Sequence, residues 1–236
     1  MKVSNNIELV LSCEHGGNLV PQGYADLFDG SSKVLSSHRG YDKGALEFAR
    51  YVSRNFSLPL IFSETTRLLV DLNRSLHHRK LFSEYTLDCS TDLKAQILKE
   101  HYHPYRNRVI NAIEFARSNK KHSIHLSFHS FTPVLEGRRR NADIGLLYDP
   151  SRPREKAFCR QFKYDLTALS EFTVRLNYPY RGTADGLTTA LRKKYSPGLY
   201  SGIEIEINQK YADNSNALIS MAEQFCAALK RCKYLN

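Results

Sequence analysis

Short apolar runs alternate with longer amphipathic stretches along this chain, and that pattern predicts strands interleaved with helices. Ile7–Ser12 (IELVLS) is an apolar run of strand length and reads as a buried strand. A turn-rich stretch, Cys13-Glu14-His15-Gly16-Gly17-Asn18, follows it. Tyr41–Asn55 carries a helical pattern, with Asp42 placed to cap its first free amides. Leu58–Phe62 and Leu68–Leu72 predict the second and third strands. Thr91–Ser118 is the longest helical pattern. Leu93, Ile97, Val109, Ile113 and Phe115 form its expected core side, and Pro104 its expected kink or break. Ser123–Phe128, Asp143–Tyr148, Thr173–Asn177 and the alternating Ile203–Ile207 predict further strands. Arg154–Leu169, Gly186–Tyr195 and Asn216–Cys232 predict helices. Such interleaving points to an α/β three-layer sandwich, with a mostly parallel or mixed central sheet and helices on both faces.

The chain has 236 residues, with no internal repeat, no low-complexity stretch and no Pro/Gly/Ser-rich linker to divide it. A single domain spanning 1–236 is the expected organisation. Hydrophobic residues make up 42% and charged residues 25%, a balance that excludes a disordered chain. No apolar run approaches the ~18 residues of a membrane-spanning helix. Met1–Asn6 has no apolar signal-peptide core. The five cysteines are irregularly spaced and form no CxxC pair, so they read as thiols of a cytoplasmic protein. A formal net charge of +10 admits nucleic acid, an anionic surface or a small acidic ligand as partner. The basic residues are dispersed, however, and the densest clusters, Arg138-Arg139-Arg140 and Arg192-Lys193-Lys194, are short. That argues against nucleic acid and leaves a small anion as the expected partner.

In α/β sheets of this kind ligands bind beyond the strand ends, and four such places carry reactive side chains. Glu14-His15-Gly16-Gly17-Asn18 follows the first strand, and Asp71-Leu72-Asn73-Arg74 closes the expected third. His129 and Ser130 follow the Ser123–Phe128 run. Glu204 and Glu206 alternate with isoleucines and so share one face of their strand. Acids in the middle of a sheet are costly unless paired or used. Two imidazoles, carboxylates and an Asn-Arg pair on separate strand ends suggest a metal-dependent hydrolase. Imidazole nitrogen suits zinc, a carboxylate can take and return the proton of the attacking water, and arginine offers a planar fork for a substrate carboxylate. Taken singly, each residue has a plainer role: a loop or core histidine, an edge-strand acid, a surface ion pair. The chain contains no HExxH, GxGxxG, GxxxxGK[ST] or GxSxG. The pairs His77-His78 and His101/His103 lack helical i, i+4 spacing and read as solvated or capping residues.

Five stretches in order, CEHGGNLVP (13–21), HRGYDKGALEFAR (38–50), TTRLLVDLNRS (65–75), HLSFHSF (125–131) and SGIEIEINQ (201–209), resemble the N-formylglutamate amidohydrolase family across nearly the whole chain. A more distant similarity is to zinc carboxypeptidases and aspartoacylases. The resemblance implies a phosphorylase/hydrolase-like sandwich and a divalent metal, zinc first, with cobalt or manganese as alternatives. His15 and His129 would be ligands. The distant relatives carry a glutamate ligand three residues after the first histidine, where this chain has Asn18; Asp42 is the other candidate for that place. Asn73 and Arg74 would grip a substrate carboxylate, with Arg67 as a second cation and Arg138 contributing from its basic cluster. Glu206, whose EINQ context matches the relatives better than that of Glu204, would be general base and acid. The implied reaction is cleavage of the amide bond of a small N-acyl acidic amino acid, such as N-formyl-L-glutamate in histidine degradation. The rival readings are a carboxypeptidase-like or other deacylating hydrolase, and a catalytically silent relative that binds an anion or nucleic acid.

Overall fold

A computed structural model describes residues 6–235. Most of Met1–Asn6, on which the signal-peptide reading rests, lies outside the described residues. In chain order the strands are β1 (Ile7–Cys13), β2 (Leu60–Phe62), β3 (His122–Phe131), β4 (Val134–Leu135), β5 (Arg138–Arg139), β6 (Ile144–Leu147), β7 (Val174–Leu176) and β8 (Tyr200–Asn208). The helices are α1 (Ser32–Leu35), α2 (Ala45–Phe56), α3 (Thr91–Ile97), α4 (His103–Ser118), α5 (Pro153–Leu169), α6 (Leu187–Lys194) and α7 (Ser215–Arg231). Six strands form one mixed sheet in the order β2-β1-β3-β8-β6-β7, while β4 and β5 make a separate hairpin. Within the sheet every neighbouring pair is parallel except β6 with β8. This is the expected α/β sandwich, with its sheet mixed rather than wholly parallel.

The pleat of β1, β3 and β8 sorts their side chains. Leu9, Leu11 and Cys13, then Ile124, Leu126 and Phe128, then Ile203, Ile205 and Ile207 all join the core cluster under α2, α5 and α7. The alternate residues face the other layer, built on α3, α4 and α6, where Val10 and Tyr200 pack with Ile97, Val109 and Leu187. On that second face β3 and β8 carry polar groups, namely His125, Ser127 and His129, and Glu204 and Glu206. The strands are thus apolar on one side and chemically equipped on the other, with both sides covered. At the centre of the first layer, Phe225 of α7 lies edge-on to Phe162 at 4.8 Å and to Phe48 at 5.2 Å. Phe225→Ala should therefore lower the free energy of unfolding by about 3–5 kcal/mol, measured by denaturant titration. A loss no larger than that of exposed Phe115→Ala would mean that this layer does not carry the core.

Four local expectations are corrected. Leu68–Leu72 is not a strand: the run is buried but wound through turns, with Leu69 N donating to Thr66 O and Asp71 N to Leu81 O. A short apolar run shows burial without showing which backbone pairing achieves it. The helix expected from Tyr41 begins at Ala45, so Asp42 does not cap it and its carboxylate turns elsewhere. Thr91–Ser118 does not break at Pro104; the chain widens into a π-helical turn over Leu98–Tyr102 and α4 starts beside the proline. Phe115, expected in the core, is 63% exposed. The basic run at 192–194 is also divided, because Arg192 is buried with its Nε 3.1 Å from the carboxylate of fully buried Glu155. No disulfide joins the cysteines. Among the described residues no helix is long and apolar enough to cross a membrane.

Candidate active site

The parallel strands β1, β3 and β8 end at the same edge of the sheet, and the register there brings together what the sequence separates. Ser12 pairs with Ser127, Ser127 with Glu204, and His129 with Glu206. On the far side of Glu206, in antiparallel β6, stands Gly145. A Cβ at that position would meet the Tyr178 carbonyl oxygen at 2.0 Å, so the glycine is what lets the segment after β7 cross close to the site.

His15, just past β1, Asp42, just before α2, and His129 on β3 converge. One ligand atom from each lies within 4.8 Å of the others, and all three residues are buried. The Nδ1 atoms of His129 and His15 stand 2.9 and 3.3 Å from the same oxygen, Asp42 Oδ2. Their opposite nitrogens rest on two further carboxylates: His15 Nε2 is 2.8 Å from Asp71 Oδ1, and His129 Nε2 is 3.1 Å from Glu14 Oε2. Each imidazole thus turns one nitrogen to the common centre and the other to a buried acid, which fixes the orientation of the ring. Glu14 also accepts from Ser127 Oγ (2.6 Å), Ser12 Oγ (2.8 Å) and the Tyr105 hydroxyl (2.9 Å). Burial alone would raise the Glu14 and Asp42 carboxyls, but their histidine partners hold both well below the usual carboxylate range.

This donor set fits a divalent cation. Two imidazoles and a carboxylate are zinc-type ligands and leave a coordination position open. The charge balance agrees. Glu14, Asp42 and Asp71 are three buried carboxylates, and Arg67 is the one guanidinium hydrogen-bonded among them, through Asp42 Oδ1 at 3.2 Å and Asp71 Oδ2 at 2.7 Å. Arg74 Nε also stands 3.8 Å from Asp71, so carboxylates outnumber guanidiniums in this cluster, a balance that favours a bound cation.

Glu206 borders the same cavity at 5% exposure, and its Oε2 has no protein hydrogen-bond partner. Burial, opposed by His129 and reinforced by Asp42 and Glu204, pushes its carboxyl up to about 8. A buried carboxyl with an uncommitted oxygen facing a cavity is suited to moving protons. Glu204 is partly committed, because its Oε1 accepts from Thr188 Oγ1 at 2.7 Å. The cavity holds about 190 Å³, below the ~300 Å³ at which sites for drug-sized ligands begin.

Of the residues singled out from the sequence, His15, Asp42, Arg67, Asn73, Arg74, His129 and Glu206 line this one cavity. Two others stand apart. Asn18 is half-buried and donates its side-chain amide to Leu35 O at 3.1 Å, while Asp42 stands between the histidines. Arg138 is exposed on the β4–β5 hairpin. The member of its cluster that turns inward is Arg140, whose Nη1 lies 3.1 Å from the Tyr180 hydroxyl. Asn73 is partly committed, because its Oδ1 accepts from Leu187 N at the start of α6. Two groups escaped the sequence reading. Glu14 and Asp71 lie close to His15 and Asn73 in the sequence, but nothing local shows that each backs a histidine from a distant segment. Tyr180, Arg181 and Asp185 also line the cavity. The only hint of them was a Pro- and Gly-containing connection after a strand.

Comparison with known proteins places the fold and the family. A crystal structure of gene product Atu2144 from Agrobacterium tumefaciens is similar at 28% identity, with 97% of this chain and 92% of that one covered and a TM-score of 0.81. The N-formylglutamate amidohydrolase from Ralstonia eutropha JMP134 shares the fold at 17% identity, with 95% and 93% covered and a TM-score of 0.70. A search of curated protein sequences found no match. The sequence model for N-formylglutamate amidohydrolase matches residues 7–212, a span that contains every residue lining the cavity. The chain belongs to the N-formylglutamate amidohydrolase family, and so to the amidohydrolases that act on carbon–nitrogen bonds outside peptides.

Proposed function

We propose that this protein is a metal-dependent amidohydrolase that cleaves the amide bond of a small N-acyl acidic amino acid, with N-formyl-L-glutamate as the first candidate. The observation that carries the reading is the meeting of His15, Asp42 and His129 beside the uncommitted carboxyl of Glu206 in a small buried cavity. His15, Asp42 and His129 would hold the cation. Bound there, a divalent ion supplies Lewis-acid chemistry, polarising the scissile carbonyl and making water acidic near neutral pH. Glu206 takes the proton of the attacking water and returns it to the leaving amine nitrogen. Arg67, fixed by Asp42 and Asp71, presents positive charge to the carbonyl oxygen as negative charge develops on it. Asn73 orients the amino-acid part, Arg74 acts on it through the 181–186 loop whose Asp185 carbonyl it holds, and the walls exclude bulk water.

The test is release of formate and amine from N-formyl, N-acetyl and N-succinyl amino acids, before and after chelation and after restoring zinc, cobalt or manganese. Activity on N-formyl acidic amino acids that chelation abolishes and metal restores is the expected result. Activity confined to a longer acyl group would give the chemistry to another substrate. No metal-dependent turnover, with retained anion binding, would favour a silent relative. The outer carboxylates give a separate prediction. Glu14→Gln should weaken metal binding about 10–100-fold, the usual effect of losing a group that orients a liganding histidine. Competition with a chromophoric chelator measures it, and unchanged affinity would remove Glu14 from that role.

A further inference from the structure

The cations around the cavity differ in what they are free to do. Arg67 is held by Asp42 and Asp71 beside the two histidines, where the reaction is placed, and not at the cavity mouth. Arg74 donates Nη1 to the Asp185 carbonyl at 2.8 Å, while its buried Nε, 3.8 Å from Asp71, has no hydrogen-bond partner among the described residues. Arg140 lies over the Tyr180 ring at 5.0 Å and donates to its hydroxyl. Arg181 lines the cavity, is exposed at its mouth, and makes no side-chain hydrogen bond or ion pair among the described residues.

The backbone that carries Arg181 is pinned on both sides. Asn177 Oδ1 accepts from Tyr148 N at 3.0 Å and from Gly182 N at 3.1 Å. The Gly182 carbonyl accepts from buried Arg192, and a Cβ on Gly182 would meet Tyr148 N at 2.2 Å. Downstream, Asp185 Oδ2 accepts from Ser75 N at 3.0 Å. The fixed loop places Arg181 at the cavity mouth, so binding a ligand there has to order the side chain but not the backbone. The rest of the cavity bears Asp42, Asp185, Glu204 and Glu206, so an anionic substrate needs an unopposed positive charge away from those acids.

From these observations we infer that Arg181 is a specificity-determining residue, which grips a carboxylate of the N-acyl amino acid at the cavity mouth, while Arg74 serves to hold the 181–186 loop in place. The inference rests on the proposed amidohydrolase reading. A guanidinium fork matches a carboxylate with two parallel hydrogen bonds, and a lysine at the same place offers only a point charge.

The experiment crosses enzyme variants with substrate variants. Wild type, Arg181→Met, Arg181→Lys and Arg74→Met are assayed on N-formyl-L-glutamate and on its two monoamides, each of which replaces one carboxylate. In wild type, amidation of the gripped carboxylate should lower kcat/KM by about 10–100-fold, as expected for losing a hydrogen bond to a charged group. In Arg181→Met that difference should collapse to about twofold or less, because the partner is gone whichever group the substrate carries. The loss on the acid should appear mainly in KM, and Arg181→Lys should recover part of it. If Arg181→Met depresses acid and amide alike, or discrimination disappears in Arg74→Met and persists in Arg181→Met, the assignment is wrong. A wild type that hydrolyses neither these three compounds nor their N-acetyl and N-succinyl counterparts overturns the proposed function, and this assignment with it. An active wild type with undisturbed discrimination in Arg181→Met overturns this assignment alone.

Discussion

Glu206→Gln should lower kcat by about 10²–10⁴-fold, the range for losing a positioned general acid–base group, with KM little changed and bound metal retained. Glutamine keeps the shape of the side chain and cannot accept the water proton. Glu206 lies beside the His15–Asp42–His129 cluster rather than in it, so metal stoichiometry should not fall. Its Oε2 has no protein partner to lose, and the substitution should therefore leave the fold intact. Glu204→Gln is the matched control. It sits two residues along the same face, but its Oε1 accepts from Thr188, and an amide oxygen there keeps that bond. Steady-state kinetics on both variants, with metal analysis, reads the result. Near wild-type kcat in Glu206→Gln with a large loss in Glu204→Gln would move the acid–base role one pleat down the strand.

Asp42→Asn should weaken metal binding by more than the ~10–100-fold attached to an outer-shell partner, and activity should fall with it. Among the described residues, Asp42 is the only carboxylate whose oxygen stands near the inward nitrogens of both histidines, at 2.9 and 3.3 Å. Removing its charge takes away the anionic member of the set, while the near-isosteric amide preserves packing. Asn18→Ala should cost far less, because the Asn18 side chain is engaged with the Leu35 carbonyl. Metal titration of the two purified variants decides between them. Equal losses, or a larger one at Asn18, would return the third ligand to the position aligned with the distant relatives.

Several features were legible along the chain because they depend on local periodicity. Alternation at Ile203–Ile207 shows that Glu204 and Glu206 share a face, whatever the strand packs against. The run Ile7–Ser12 reads as a buried strand from its apolar character and length, and β1 covers Ile7–Cys13. Helical periodicity anticipated α5 and α7 to within a residue or two. Asp42 shows the opposite case. Its place before a helical pattern made capping the natural reading, yet its carboxylate is claimed by His15, His129 and Arg67, from three distant segments. Leu68–Leu72 is apolar because it is buried, but turns around Thr66, Leu81 and Ser83 satisfy its backbone in place of a strand partner.

By itself the sequence determined an α/β alternation, which strand faces carry polar groups, and an ordered set of motifs sufficient to point to the family. The first two follow from period and composition, which are local; the motifs point to the family through resemblance. Tertiary structure alone decided which acid backs which imidazole, that Asp42 rather than Asn18 stands between the histidines, and that Arg181 is left unpaired while Arg67 and Arg74 are engaged. Each depends on strand register and loop closure between segments tens of residues apart, where a shift of one residue would turn the same side chains to the opposite face.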